Sequence, residues 1–137
     1  MASQLIESQD LTVGKLFHDY YSVPDYQREY VWQEAEVEQL LTDIHAEFED
    51  APGSQESEYF IGSVVVCPGT HQVFDLIDGQ QRVTTLYAFF CAVRDHLKQI
   101  GASPLHTLDQ HVASVSIDAS GQEQSRYRVT LRGTSRA

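Results

Sequence analysis

Several absences bound this chain before any motif is read. No segment approaches the roughly 18 consecutive apolar residues that cross a bilayer, and the opening MASQLIESQD lacks both the basic start and the apolar run of a secretion signal. The reading is a cytoplasmic chain with no membrane partner. Its two cysteines, Cys67 and Cys91, are too few for a disulfide scaffold. The histidines, 18, 45, 71, 96, 106 and 111, include no pair one helical turn apart, so a zinc site made by protein ligands alone is not expected. Basic residues are also scarce. With 9 Lys+Arg against 20 Asp+Glu the formal net charge is -11, and such a surface repels a nucleic-acid backbone at long range. That excludes nonspecific duplex binding by this chain alone.

What is present suits one folded domain: 137 residues, 42% hydrophobic and 21% charged, within the ordinary globular range. Thr12 is placed to cap a short helix within residues 11–20, with Val13, Leu16 and Phe17 on one face. Tyr21 to Val23 reads as a strand stopped by Pro24. From Gln33 to Asp50, Val37, Leu40, Leu41, Ile44 and Phe48 recur at helical spacing among acidic residues, predicting an amphipathic helix. YFIGSVVVC, residues 59–67, and residues 71–77 predict a hairpin turned by Pro68-Gly69. A long helix is predicted from Gln80 to Gln99. After Gly101 the pattern weakens, with residues 111–118 and 127–131 readable as a second hairpin. The expectation is a core over residues 1–100 and a weakly defined extension over 101–137, whose terminal RGTSRA closes no core and reads as a stop inside longer structure.

Two polar constellations stand out. The first is Asp78-Gly79-Gln80-Gln81-Arg82 with Thr84 and Thr85, placed where a strand hands over to a helix. Free backbone N–H groups and the positive end of a helix hold anions there. Gly79 lets the backbone approach closely, Arg82 offers a fork of donors to phosphate or carboxylate, and Asp78 offers an oxygen to a metal, a sugar hydroxyl or a water. The residues equally allow a structural reading, in which Asp78 and Gly79 make a turn and cap and Arg82 pairs with the acidic helix. The second is Tyr26, Gln27, Arg28, Tyr30 and Trp32, aromatics interleaved with an arginine, suited either to stacking on a base or to plugging a core. If Arg28 and Arg82 converge, they bracket a triphosphate. Four arginines near the end, Arg126, Arg128, Arg132 and Arg136, leave a local anion site open against the bland reading that they flank a terminal strand. Ser63 sits in a strand-like run without the turn of a hydrolase nucleophile.

SVPDYQREYVW (22–32), YFIGSVVV (59–66) and DLIDGQQRVTTL (75–86) together resemble the DUF262 family, the amino-terminal domain of GmrSD-type modification-dependent restriction enzymes. The resemblance covers residues 11–99 and implies an α+β fold of the ParB/sulfiredoxin-like kind, a small mixed sheet packed by helices. It implies a nucleoside triphosphatase regulating a nuclease that restricts modified foreign DNA. Carried over, Asp78, Gln81 and Arg82 are the catalytic residues, and Tyr26, Gln27, Arg28, Gly79, Gln80, Thr84 and Thr85 bind the nucleotide. Asp78 holds Mg²⁺. The nuclease, of HNH type, belongs to a separate domain or partner chain, since no such histidine-asparagine-histidine arrangement is present. The competing expectation is a noncatalytic sensor of modified DNA or of a partner protein.

Overall fold

The computed structural model describes residues 7–24, 30–50, 60–103 and 105–131. Thr12 caps as expected, its hydroxyl accepting the Lys15 N–H at 3.2 Å, but the helix it starts is a single turn, α1 (Val13–Leu16). The chain then turns so that Phe17 is fully buried and Tyr20–Val23 forms β1. Helix α2 (Glu34–Asp50) opens on half of a capping box: the Gln33 N–H donates to the Glu36 carboxylate at 2.9 Å, while the Gln33 carbonyl accepts the first N–H groups of the helix. Leu40 is buried and Ile44 packs beside it. Phe48, predicted on the same face, is instead 76% exposed because the core ends at Ile44.

Of the predicted strand 59–67, Tyr59 lies outside the described residues, and among the rest only the last residues pair, as β2 (Val65–Pro68). Residues 61–64 are diverted: Gly62 takes φ +141°, and the stretch lies against the start of the long helix rather than against a strand. β2 pairs antiparallel with β3 (Val73–Asp78) through a tight turn in which His71 and Gln72 have φ of +56° and +61° and the Val73 N–H reaches the Thr70 carbonyl at 3.1 Å. Two left-handed central residues match the right-handed twist of the paired strands. Helix α3 (Gln80–Gln99) follows at the predicted residues, burying Val83, Thr85 and Leu86.

The last third departs most from expectation. A short helix, α4 (His106–Val112), precedes β4 (Ala113–Ile117), and β4 pairs with β5 (Glu123–Tyr127), which shares only Tyr127 with the predicted strand 127–131. Asp118 is the cause: its carboxylate accepts from the backbone N–H of Ser120 and Gln122 and from the side chains of Ser120 and Gln124, closing the turn by residue 122. Those hydrogen bonds, the Ser120 hydroxyl first, hold its pKa down at about 2. The chain then leaves the hairpin, and β6 (Val129–Leu131) enters the main sheet.

That sheet has the order β2-β3-β1-β6, with β1 parallel to both β3 and β6. Tyr21 sits opposite Phe74 on one side and Val129 on the other. The core comprises Phe17, Tyr21, Leu40, Leu76, Val83, Leu86 and Val129, so the architecture is α+β, with a small mixed sheet packed by helices and a separate two-stranded sheet. Arg128 fastens the pieces together. It is 8% exposed, and its guanidinium donates to the carbonyls of Gln110 (2.9 Å) and His18 (2.8 Å) while lying 4.7 Å from the centre of the Tyr20 ring.

Arg128→Met removes both donors and strands two carbonyls, so urea unfolding should show a loss of about 2–3 kcal/mol. A loss under about 0.5 kcal/mol, the range of an ordinary surface substitution, would contradict the fastening role. A second prediction concerns Tyr21, whose hydroxyl donates to the Leu16 carbonyl at 2.7 Å, and Tyr87, which donates to Val112 at 2.6 Å. Burial pushes both phenols up to about 12, with Asp19 adding to the shift at Tyr21 and Cys91 at Tyr87. Their contribution to stability is therefore complete below pH 10 and lost as pH rises through 12. Phenolate absorbance, compared with that of Tyr21→Phe and Tyr87→Phe, should show these two hydroxyls titrating late and together with unfolding; their ionisation near pH 10 in the folded protein would refute it.

Candidate functional site

β1 and β3 run parallel, so the segments leaving them emerge at the same end of the sheet. The end beyond the carboxyl termini of parallel strands is where open sheets flanked by helices bind ligands. Here β3 delivers Asp78, which is exposed and whose Oδ1 accepts the Gly79 N–H at 2.9 Å. Gly79 caps α3 with φ +86°. A Cβ there would stand 3.1 Å from both the Ser63 carbonyl oxygen and Val64 Cγ2, so the left-handed conformation and the close approach both call for glycine. No side chain caps the helix.

The first turn of α3 divides its polar groups between scaffold and opening. The Gln80 amide turns back, donating to the carbonyls of Leu76 (3.2 Å) and Ile77 (2.8 Å). The Gln81 Oε1 accepts the backbone N–H groups of Val31 (2.9 Å) and Trp32 (3.1 Å). One turn on, buried Thr85 shares a 2.7 Å hydrogen bond with the Tyr30 hydroxyl. These bonds fasten the end of the aromatic segment to the helix start across some fifty residues of sequence. Trp32 packs against the core, and Thr84 is half-buried. Tyr26, Gln27 and Arg28 lie outside the described residues, and with them the expected convergence of Arg28 on Arg82.

Arg82 is half-buried and its guanidinium lies on the backbone of Gly62, so close that a Cβ at residue 62 would stand 2.7 Å from Cζ. The ion pairs among the described residues are His45–Glu49 and Arg94–Asp95. Arg82 is in neither, so among these residues it does not pair with the acidic helix. Gly62 is the residue that sequence reasoning passed over, reading FIGSVV as plain strand. A glycine inside a β-rich run marks a bulge or a close approach, and that was the available signal.

Of the four terminal arginines, Arg132 and Arg136 lie outside the described residues. Arg126 lies 3.7 Å from the centre of the Tyr20 ring and donates to the His71 carbonyl at 2.6 Å, while Arg128 is spent on carbonyls. Cys67 is exposed in β2 and Cys91 lies in α3, where burial raises its thiol pKa, the wrong direction for a nucleophile. Among the described residues no three His, Cys, Asp or Glu side chains gather into a metal cage. A magnesium ion carried on phosphates needs only one or two protein carboxylates, and exposed Asp78 fits that lesser demand.

The family model of the GmrSD restriction endonuclease N-terminal domain matches residues 9–136. The chain belongs to this family. As a GmrSD N-terminal domain it is a component of a restriction system, and the match runs through the region after Gly101, part of which forms β6 of the main sheet. No curated protein matches the chain. Among the described residues of this GmrSD N-terminal domain no helix is long and apolar enough to cross a membrane.

The contact between Gly62 and Arg82 gives a direct test. Gly62→Ala should destabilise the protein by about 1–3 kcal/mol, combining backbone strain with the clash. In an Arg82→Ala background the clash is gone, so the same substitution should cost measurably less in urea unfolding. Equal costs in the two backgrounds would mean that the guanidinium does not occupy that notch.

Proposed function

We propose that this domain binds a nucleoside triphosphate with Mg²⁺ at the start of α3, and that the nucleotide controls cleavage of modified DNA by a separate HNH-type nuclease domain or partner chain in the cytoplasm. The observation that carries the reading is the placement of Arg82. Its guanidinium is seated over Gly62 beside an uncapped helix start and pairs with no carboxylate among the described residues. A cation held in a chosen position without a counter-ion among the described residues, in a chain of net charge -11, suits an anionic ligand.

In this reading the backbone N–H groups of the first turn of α3 cradle phosphate oxygens, Gly79 lets them approach, and Arg82 neutralises charge that develops on the transferred phosphoryl group. Asp78, exposed at the strand end, would hold Mg²⁺ or orient the attacking water. The metal would supply charge neutralisation between phosphate oxygens. Gln80 and Gln81, whose side chains reach backbone groups of neighbouring segments, shape the walls of the site, with Thr84 and Thr85 on the following turn. The family resemblance assigns nucleotide binding to Tyr26, Gln27 and Arg28 as well, which lie outside the described residues.

The engagement of both glutamines on backbone also favours the second reading, a domain that binds without hydrolysing and acts as a sensor. Calorimetric titration with ATP, GTP, CTP and UTP in the presence of Mg²⁺ tests the shared premise. Binding should be lost or weakened at least about tenfold in Arg82→Ala, the scale of one charge-assisted hydrogen bond. Undiminished binding in that variant would sink the site. Phosphate release abolished by Asp78→Ala with binding retained would support hydrolysis, whereas binding without release in the parent would support the sensor.

A further inference from the structure

We propose that Tyr30 is the platform on which the nucleobase stacks, and hence that the ligand is recognised as a nucleotide and not merely as a polyphosphate; this rests on the phosphate-site reading of Arg82. Exposed aromatic rings are common on protein surfaces, and exposure alone would say nothing. What distinguishes Tyr30 is that the residue is 48% exposed while its hydroxyl and the backbone that follows it are both held. Its hydroxyl is bonded at 2.7 Å to Thr85, a residue only 5% exposed. On the other side, the N–H groups of the next two residues are both held by Gln81 Oε1 at 2.9 and 3.1 Å.

Residues 81 and 85 are one helical turn apart, on the same side of α3, and residue 82, three before Thr85, is its neighbour on the helix surface. The ring is therefore tied along the first two turns of the helix, on the stretch that carries Arg82. A flat surface fixed in advance costs little entropy when a base settles on it, and stacking of a base on an aromatic side chain tolerates any base. Trp32, the other described aromatic of the segment, packs against the core and leaves this role to Tyr30.

The test compares Mg·ATP with inorganic tripolyphosphate, titrated calorimetrically into the full chain and into its Tyr30→Ala and Tyr30→Phe variants, with thermal unfolding of each as a folding check. The expected result is that the parent binds ATP more tightly than tripolyphosphate. Tyr30→Ala should then lose about 5- to 150-fold in ATP affinity, the range for one base-aromatic stack, with tripolyphosphate affinity unchanged. Tyr30→Phe, which keeps the ring, should retain most of the preference for ATP. Equal affinity of the parent for the two ligands would overturn the platform and leave the phosphate site standing. Equal loss of both ligands in Tyr30→Ala and Tyr30→Phe would make Tyr30 a brace, and overturn it too. Failure of the parent to bind either ligand would overturn the phosphate site and the platform together.

Discussion

The parallel pairing of β1 with β3 governs the arrangement of everything else in this molecule. Tyr21 lies opposite Phe74, so the two strands leave the sheet at the same end, and residues some fifty positions apart in sequence become neighbours. Tyr30, Val31 and Trp32 reach Gln81 and Thr85 only because of that register. A shift of β1 by one residue would turn buried Tyr21 away from the face it shares with buried Leu76. The hydrophobic core that fixes the register is thus also what assembles the polar end of the sheet.

An acidic chain must place its few arginines with care, and this one treats them differently. Arg128 is buried without a carboxylate among the described residues, and backbone carbonyls and the face of Tyr20 stand in for one. Guanidinium tolerates this because its planar, weakly hydrated fork fits carbonyl oxygens and aromatic faces alike. Arg126 shares the Tyr20 ring and steadies the left-handed turn at His71. Those two sit at the amino ends of the parallel strands, where they hold structure. Arg82 sits at the carboxyl ends, over a glycine, with its charge uncommitted among the described residues. Membership of the GmrSD N-terminal domain family places that arrangement in a restriction system.

The polar motif at the start of α3 is less uniform than its composition suggests. Two glutamines, an aspartate, an arginine and two threonines could all face a ligand, yet the side chains of Gln80, Gln81 and Thr85 each bind protein. A buried or half-buried amide left without partners would be costly, so these residues hold the strand end, the aromatic segment and the helix together. This gives Asp78 and Arg82 fixed surroundings, and a site held rigidly by its neighbours binds without first having to be ordered.

The sequence by itself determined the elements whose signals are local. Periodicity set α2 and α3, the Thr12 hydroxyl capped α1, Pro24 stopped β1, and Asp78-Gly79 marked the handover from strand to helix. The family was readable from three short segments. Tertiary structure alone decided the rest. That Gly62 leaves the ladder to lie under Arg82, that Gln81 holds Val31 and Trp32, and that Val129–Leu131 becomes the fourth strand of the main sheet are all long-range choices. Each depends on which distant backbone group or apolar face is available when the core closes, and a side chain's partner fifty or a hundred residues away leaves no periodic trace in its own neighbourhood.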